Sequence, residues 1–344
     1  MDRRTFLTRT GLFAVTTMAG GQFLMSCAPG SSQSESADGL QELVFVTPFQ
    51  HILTYSDVYV AIQEGYFEAE GLRVEPVGGT GTASSASQIL AGQGTFGKAA
   101  AVVTCPMIAD QGADIITVAV GDQVSQYSVA SSPDNPLTHP NQWQGKTIGV
   151  ISKGGATELL LDAMSVAVGL DPGKVSKVVT GSDVSSLEFL ERGEVDGFIT
   201  FIGSETALRK MGKELHYLNT DEFAKMPGDS YFVKRSDLDE QGDAIAGFLR
   251  ASRKGFEFVA DPENEDKVIS AMAAYNKTEV SDTELAKMKI EGFAKLSTPK
   301  SGDFLDIDMA AWESAIELMR KSGIIEDTER PLSDFVTTSV LERL

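Results

Sequence analysis

DVYVAIQEGYFEAEGLRVEPV, residues 57–77, can be read as a helix, a stop and a new strand. Tyr55, Val58, Tyr59, Ile62 and Tyr66 recur at helical spacing and form one apolar stripe. Gly65 and Gly71 follow it, and glycine ends a helix cheaply because it has no Cβ to clash in the left-handed region. Leu72 to Val77 then alternates as a strand, and Leu43-Val44-Phe45-Val46 supplies an earlier one. Residues 42–77 are therefore expected to be a β-α-β unit, the building block of parallel sheets.

Working outward, 78–82 is a glycine-rich loop and 83–91 a short helix with Thr82 or Ser84 as its cap. Residues 96–100 read as strand three, 102–111 as a helix and 115–120 as strand four. The turn formers Ser131-Ser132-Pro133-Asp134-Asn135-Pro136 break the pattern. A second block then begins: a strand within 141–150, helix 157–168, strand 175–179, helix 185–191, and strands 196–201 and 215–218. The two blocks echo each other in LAGQGTFG, residues 90–97, and LERGEVDG, residues 190–197, where a helix ends at glycine and hands over to a short buried strand. From 237 onward the chain reads as helices at 243–260, 266–275, 282–293, 309–322 and 332–343.

Length and composition bound what this arrangement can do. The chain has 344 residues, 42% hydrophobic and 23% charged, enough for two domains of about 100 to 200 residues each. Residues 1–27 read as a twin-arginine-type lipoprotein signal. Arg3-Arg4-Thr5-Phe6-Leu7 has the twin-arginine form, 11–24 is a diluted apolar run, and Leu24-Met25-Ser26-Cys27 resembles a lipobox that leaves Cys27 as a lipid-modified N-terminus. Residues 28–39, small and polar, read as a flexible tether. Removing the signal takes away three arginines and one aspartate, so the net charge of −20 becomes about −22. Nucleic acid, which needs a basic face, is a poor partner for such a body. Cys105 alone remains after Cys27, so no disulfide forms within the mature chain.

In open α/β sheets, ligands bind beyond the carboxyl ends of the strands. The candidate ligand-binding residues accordingly lie in five loops. Phe49, Gln50 and His51 follow the first strand; Gly79, Thr80, Gly81 and Thr82 follow the second; Ala101 follows the third. In the second block, Ser152, Gly154, Gly155, Ala156 and Thr157 form the matching glycine-rich turn, and Phe201 ends a later strand. The two glycine-rich turns offer backbone N–H groups at helix starts, which suit an anionic or electron-rich group. Aromatic rings at Phe49, Tyr55, Tyr127, Phe201, Tyr231 and Phe232 could stack on a flat ligand while Gln50, His51 or Asp229 bonds its edge. A polar ring in the first loop has few core reasons to be there, which makes His51 the leading single candidate.

Catalysis has little support. Gly79-Thr-Gly81-Thr-Ala-Ser84 approaches a dinucleotide fingerprint, yet its third glycine is Ser84 and no acid stands at 98–103. His51, His139 and His216 lack metal spacing, and no nucleophile motif is present. No catalytic residue, metal or cofactor is expected.

Ala61, Glu64-Gly65-Tyr66-Phe67, Glu70-Gly71-Leu72 and Val74 resemble the first helix and second strand of the nitrate, sulfonate, taurine and thiamine-pyrimidine class of solute-binding proteins, the SsuA/THI5-like or NMT1 group that serves ABC importers. Leu90 to Gly97, Gln144 to Val150 and Gly193 to Asp196 extend the resemblance over about residues 42–260. The resemblance implies an α/β type II periplasmic-binding-protein fold with a ligand cleft between two lobes. Residues 40–125 and 226–344 would make lobe one, with C-terminal helices on it, and 126–225 lobe two. It also implies a monomeric, exported protein, lipid-anchored on the outer face of the cytoplasmic membrane. That protein would hand a small solute to an ABC permease and its ATPase, with crossings near 121–127 and 221–231 as hinges. Related fungal pyrimidine synthases carry a run of cysteines absent here, so that activity is not implied. No arginine falls in the five loops, and the aromatics favour a planar heterocycle such as a thiamine-precursor pyrimidine. Sulfonate, nitrate or another small anion is the alternative, as is a ligand-sensing lipoprotein.

Overall fold

The computed structural model describes residues 39–344 apart from Ser301, Thr328 and the side chain of Ala83. The signal expected at 1–27, with Cys27, and the tether at 28–39, its last glycine excepted, lie outside the described residues.

β1 (Gln41–Val46) leads into α1 (Ser56–Gln63) and α2 (Tyr66–Ala69), and β2 (Leu72–Val77) returns parallel to β1 over its whole length. Gly65 and Gly71 have φ of 73° and 74°, so both stops fall where the backbone turns left-handed. Tyr55, Val58 and Tyr59 are buried, with Ile62 and Tyr66 half-buried. Burying one large apolar side chain is worth about 1.5–3 kcal/mol. For a helix as short as α1 that packing, not intrinsic propensity, holds it in place.

The first sheet continues through α3 (Thr82–Leu90), β3 (Phe96–Ala100), α4 (Ala101–Ala109) and β4 (Ile115–Val120). Residues 121–126 cross to β5 (Tyr127–Ser131), followed by β6 (Thr147–Val150), α5 (Ala156–Ala167) and β7 (Ser176–Val179). Next come α6 (Ser186–Glu191), β8 (Gly197–Phe201), α7 (Ile202–Lys210) and β9 (His216–Asn219). Residues 220–228 cross back to β10 (Asp229–Lys234), and α8 (Asp237–Ala260), α9 (Glu265–Ala273), α10 (Thr283–Ser297) and α11 (Met309–Lys321) complete the chain.

The sheets run β2-β1-β3-β10-β4 and β7-β6-β8-β5-β9, one plan used twice. In each, the strand that follows a crossing is inserted antiparallel between two others. The echoing segments occupy the same place in both: α3 and α6 are followed by Gly92 and Gly193, each at φ 72°, and then by β3 and β8. Each sheet with its helices is called a lobe below.

Several local expectations are corrected. β5 and β10 are strands where the sequence reading has only crossings; their pairing partners are distant in sequence, so local periodicity does not reveal them. Residues 332–343 are not one α-helix: short 3-10 turns at Leu332–Asp334 and Leu341–Arg343 flank a non-helical stretch. Thr117 of β4 donates to the Phe335 carbonyl and accepts from Thr337 N–H, so the tail runs along the open edge of the first sheet. The N-cap of α3 is Gly81, at φ 137° with no side-chain cap, and Thr82 already lies in the first turn.

Of the C-terminal helices, α8 and α9 cover lobe one, and α11 meets α5 of the other lobe. α8 lies so close to α1 that a Cβ on Gly255 would stand 2.1 Å from the Asp57 carbonyl. α10 packs on α8 and α9 and also reaches α7 of the other lobe, where Gly292 meets Ile202 and Lys210 pairs with Asp282 and Glu284.

Candidate functional site

The two crossings run side by side. Gly121 N–H and Asp122 N–H both donate to the Asp229 carbonyl at 3.0 Å, Ser125 N–H donates to the Asp221 carboxylate at 2.8 Å, and Thr220 hydroxyl to the Ser125 hydroxyl at 2.7 Å. A Cβ on Gly228 would lie 2.5 Å from the Asp122 carbonyl, so glycine is what lets the backbones meet.

Beside these crossings lies a cavity of about 410 Å³ at the carboxyl ends of the strands. Lobe one lines it with Phe49, Gln50, Ile52, Thr54, Tyr55, Gly79 and Thr80. Gln126 ends the first crossing, Tyr127 opens β5, and Ile151, Ser182 and Phe201 also come from lobe two. The wall carries four aromatic rings, two side-chain amides and three aliphatic hydroxyls, with no Asp, Glu, Lys, Arg or His. Phe49, 42% exposed, is the one strongly solvated ring among them.

Gly79 shapes the lobe-one side. A Cβ there would stand 2.0 Å from the Thr47 carbonyl, so only glycine lets the second loop close on the first. The closed loops are stitched by Gly79 N–H to the Phe49 carbonyl at 3.1 Å, Gly81 N–H to the Pro48 carbonyl at 2.7 Å, and Gln50 Nε2 to the Gly79 carbonyl at 3.3 Å.

The cavity thus brings together Phe49, Gln50, Tyr55, Gly79, Thr80, Tyr127 and Phe201 of the residues singled out in the sequence. It does not include the others. His51 shares a hydrogen bond of 2.9 Å with the Tyr59 hydroxyl and lies against Tyr59 and Tyr275, and burial holds its imidazole below the ordinary range. A polar ring in this loop therefore has a packing reason after all. Gly81 and Thr82 belong to the start of α3, and Ala101 is core. Tyr231 is wholly buried, its hydroxyl bonded to Asp57, and the Phe232 ring fills the space that Gly97 leaves.

The glycine-rich turn of lobe two is also absent from the wall. Gly154 N–H donates to the Glu158 carboxylate at 2.5 Å, Gly155 N–H to the Ser152 carbonyl, and the Thr157 hydroxyl accepts from Ile151 N–H, with Ala156 opening α5. Glu158 already supplies the negative group expected there from a ligand, and Gly79 and Gly81 direct their N–H groups at carbonyls of the first loop. Sequence reasoning missed Ile52, Thr54, Gln126, Ile151 and Ser182 as lining residues. Their only signal is position just beyond a strand end or at a crossing.

Behind the wall lies a buried charge cluster. Lys98 of β3 stands 3.9 Å from the Asp57 carboxylate, 3.5 Å from the Thr54 carbonyl, and 5.2–5.7 Å from the ring centres of Tyr55, Tyr231, Phe256 and Phe293. Asp229, expected in the cleft, lies here, sharing a narrow space with Gln126 and Tyr127. Burial raises the carboxyls of Asp57 and Asp229, Lys98 opposing, and pushes Asp122 up to about 8. Among the described residues no cluster of three His, Cys, Asp or Glu could hold a metal ion, and no helix is long and apolar enough to cross a membrane.

A family model described as NMT1/THI5 like matches residues 54–265, from the first helix through the end of α8. The chain belongs to the NMT1/THI5-like family. A curated relative is the formylaminopyrimidine-binding protein of Halalkalibacterium halodurans, 24% identical over 313 residues, which cover 86% of this chain and 88% of the relative. Among solved structures, the periplasmic aliphatic sulphonate binding protein SsuA of Escherichia coli matches with a TM-score of 0.68 at 12% identity, over 86% of this chain and 92% of its own. The desulfurization enzyme DSZB matches with a TM-score of 0.56 at 11% identity, over 88% of this chain and 98% of its own. The fold of this NMT1/THI5-like protein is thus the type II periplasmic-binding-protein fold. That one architecture serves a sulphonate binder and an enzyme, so function rests on the cavity.

Proposed function

We propose that this NMT1/THI5-like protein is an extracytoplasmic solute-binding protein of an ABC importer, not an enzyme, and that it captures a small planar heterocycle of the thiamine-precursor pyrimidine type. The observation that carries this reading is the wall of Phe49, Tyr55, Tyr127 and Phe201 with the amides of Gln50 and Gln126, a surface for stacking on a flat ring and bonding its edge. The named binding activity of the Halalkalibacterium relative supports the same class. Lobe one, taken as 40–125 and 226–344, would rotate against lobe two, 126–225, about the paired crossings. Contacts made only in the closed form would then shift the population toward closure.

The monomer, anchored through lipid on Cys27 to the outer face of the cytoplasmic membrane, would present the closed form to a permease and its ATPase. A kinase encoded beside it, in place of those two, would instead favour a ligand sensor. A second reading, capture of an aliphatic sulfonate or other small anion, draws on the likeness to SsuA. Native mass spectrometry of the purified protein, followed by melting curves with pyrimidines and sulfonates, separates the two. A pyrimidine near 100 times its Kd should add about 2.7 kcal/mol of stability. A shift with sulfonates and none with pyrimidines would transfer the assignment to the second reading.

A further inference from the structure

We propose that the solute enters the cavity as a cation, its charge matched by the excess of buried carboxylates at Asp57, Asp122 and Asp229 behind the cavity wall. The inference rests on the reading of the cavity as a solute site and adds the sign of the solute's charge.

Three observations lead to it. The cavity wall has no ionisable side chain except the hydroxyls of Tyr55 and Tyr127, so nothing on its surface meets a ligand's charge directly. The layer behind those two tyrosines holds three wholly or almost wholly buried carboxyls against one buried ammonium, Lys98. Lys98 does not satisfy that layer: it stands 3.9 Å from Asp57 Oδ1, beyond hydrogen-bond reach, and both carboxylate oxygens of Asp122 have no hydrogen-bond partner. The groups interacting with Asp122 are Lys98 from β3, Asp229 and Tyr231 from β10, Asp57 from α1 and Tyr127 from β5, so the cluster has three carboxyls to one ammonium.

The electrostatics then run one way. In a low-dielectric interior, an excess of negative charge is relieved either by a bound proton or by a cation brought close. When the cavity is empty the proton does this: burial first of all, with Asp229 and Asp57 adding to it and Lys98 opposing, pushes the Asp122 carboxyl up to about 8. A cation seated among the four rings, which attract it through their faces, takes over that role, and the proton leaves to solvent. Binding of a fixed cation should therefore release up to one proton and tighten by up to about tenfold per pH unit as pH rises toward about 8. An anion would meet the opposite field, and its affinity would fall over the same range.

Nicotinamide, 1-methylnicotinamide and nicotinate are flat probes of nearly one shape with charges of 0, +1 and −1. Calorimetric titration of the purified protein with each, at pH 6, 7, 8 and 9 and in buffers of differing ionisation heat, tests the proposal. It expects 1-methylnicotinamide to bind at least tenfold more tightly than nicotinamide at pH 8, with proton release and pH-dependent affinity, and nicotinate to bind weakest. Asp122→Asn should flatten the pH dependence, and the buffer-dependent heats of the unmodified protein give the proton count even where that variant folds poorly. Equal, pH-independent binding of the neutral and cationic probes would overturn the charge inference and leave the solute reading standing. Nicotinate binding most tightly would overturn it in favour of an anion. Absence of heat with all three at millimolar concentration would overturn the charge inference, while the solute reading stands or falls by the pyrimidine and sulfonate melting curves.

Discussion

Asp122 carries two carboxylate oxygens without a hydrogen-bond partner in a wholly buried side chain. Burial raises its carboxyl to about 8, with Lys98 opposing and Asp229 and Asp57 reinforcing, whereas in the unfolded chain it titrates in the usual carboxylate range. Between about pH 4 and 8 the folded state thus holds a proton that the unfolded state has lost. The stability this contributes is complete at the acid end and disappears as pH rises through about 8. Asp122→Asn should raise the melting temperature at pH 9 and change it little near pH 4; equal offsets at both pH values in thermal denaturation would contradict that. Site residues divide by the same kind of local accounting. His51→Ala, which removes the Tyr59 hydrogen bond, should cost about 1–2 kcal/mol of stability and leave solute affinity within about twofold. Phe49→Ala and Phe201→Ala should each weaken binding by about tenfold, as measured by calorimetry, because each takes a ring from the wall. The rings and glycines near strand ends were legible in the sequence because their types are unusual for plain loops. Ile52, Thr54 and Ser182 were not, since such residues occur in any loop.

α10 is the element whose role changed most. Sequence periodicity marks it as one more helix covering lobe one, and it does pack on α8 and α9, but its other side touches α7, the helix that begins at the cavity-lining end of β8. A Cβ on Gly292 would already stand 3.1 Å from Ile202 Cγ1, so a larger side chain wedges the two lobes apart. Gly292→Leu should therefore weaken solute binding by about tenfold or more and enlarge the radius of gyration seen by small-angle scattering. An unchanged radius with unchanged affinity would show that α10 does not span the moving interface. The helices and parallel strands were readable from period and glycine stops. β5 and β10 were not, because an antiparallel strand inserted by a returning chain is specified by neighbours far away in sequence. The 332–343 segment has helix-compatible residues and still runs as an edge partner of β4, where the sheet offers it backbone bonds.

At the scale of the whole molecule, two lobes of one plan are joined by paired crossings whose backbones are bonded to each other, and the proposed rotation would be concentrated at 121–126 and 220–228. The expected lipid anchor belongs to this scale as well: Cys27→Ala should release the protein from membranes on fractionation, and full retention would argue against the anchor. By itself the sequence determined the order of helices and strands, their grouping into two similar α/β blocks and the family likeness. Those properties are written in period, glycine position and motif wording, which act over a few residues at a time. Tertiary structure alone decided which aromatic rings face the cavity and which the core, that the glycine-rich turns direct N–H groups at their own chain, and that Asp57, Lys98, Asp122 and Asp229 meet behind the wall. Burial and charge balance are sums over neighbours from four separate stretches, and no local pattern in the chain encodes such a sum.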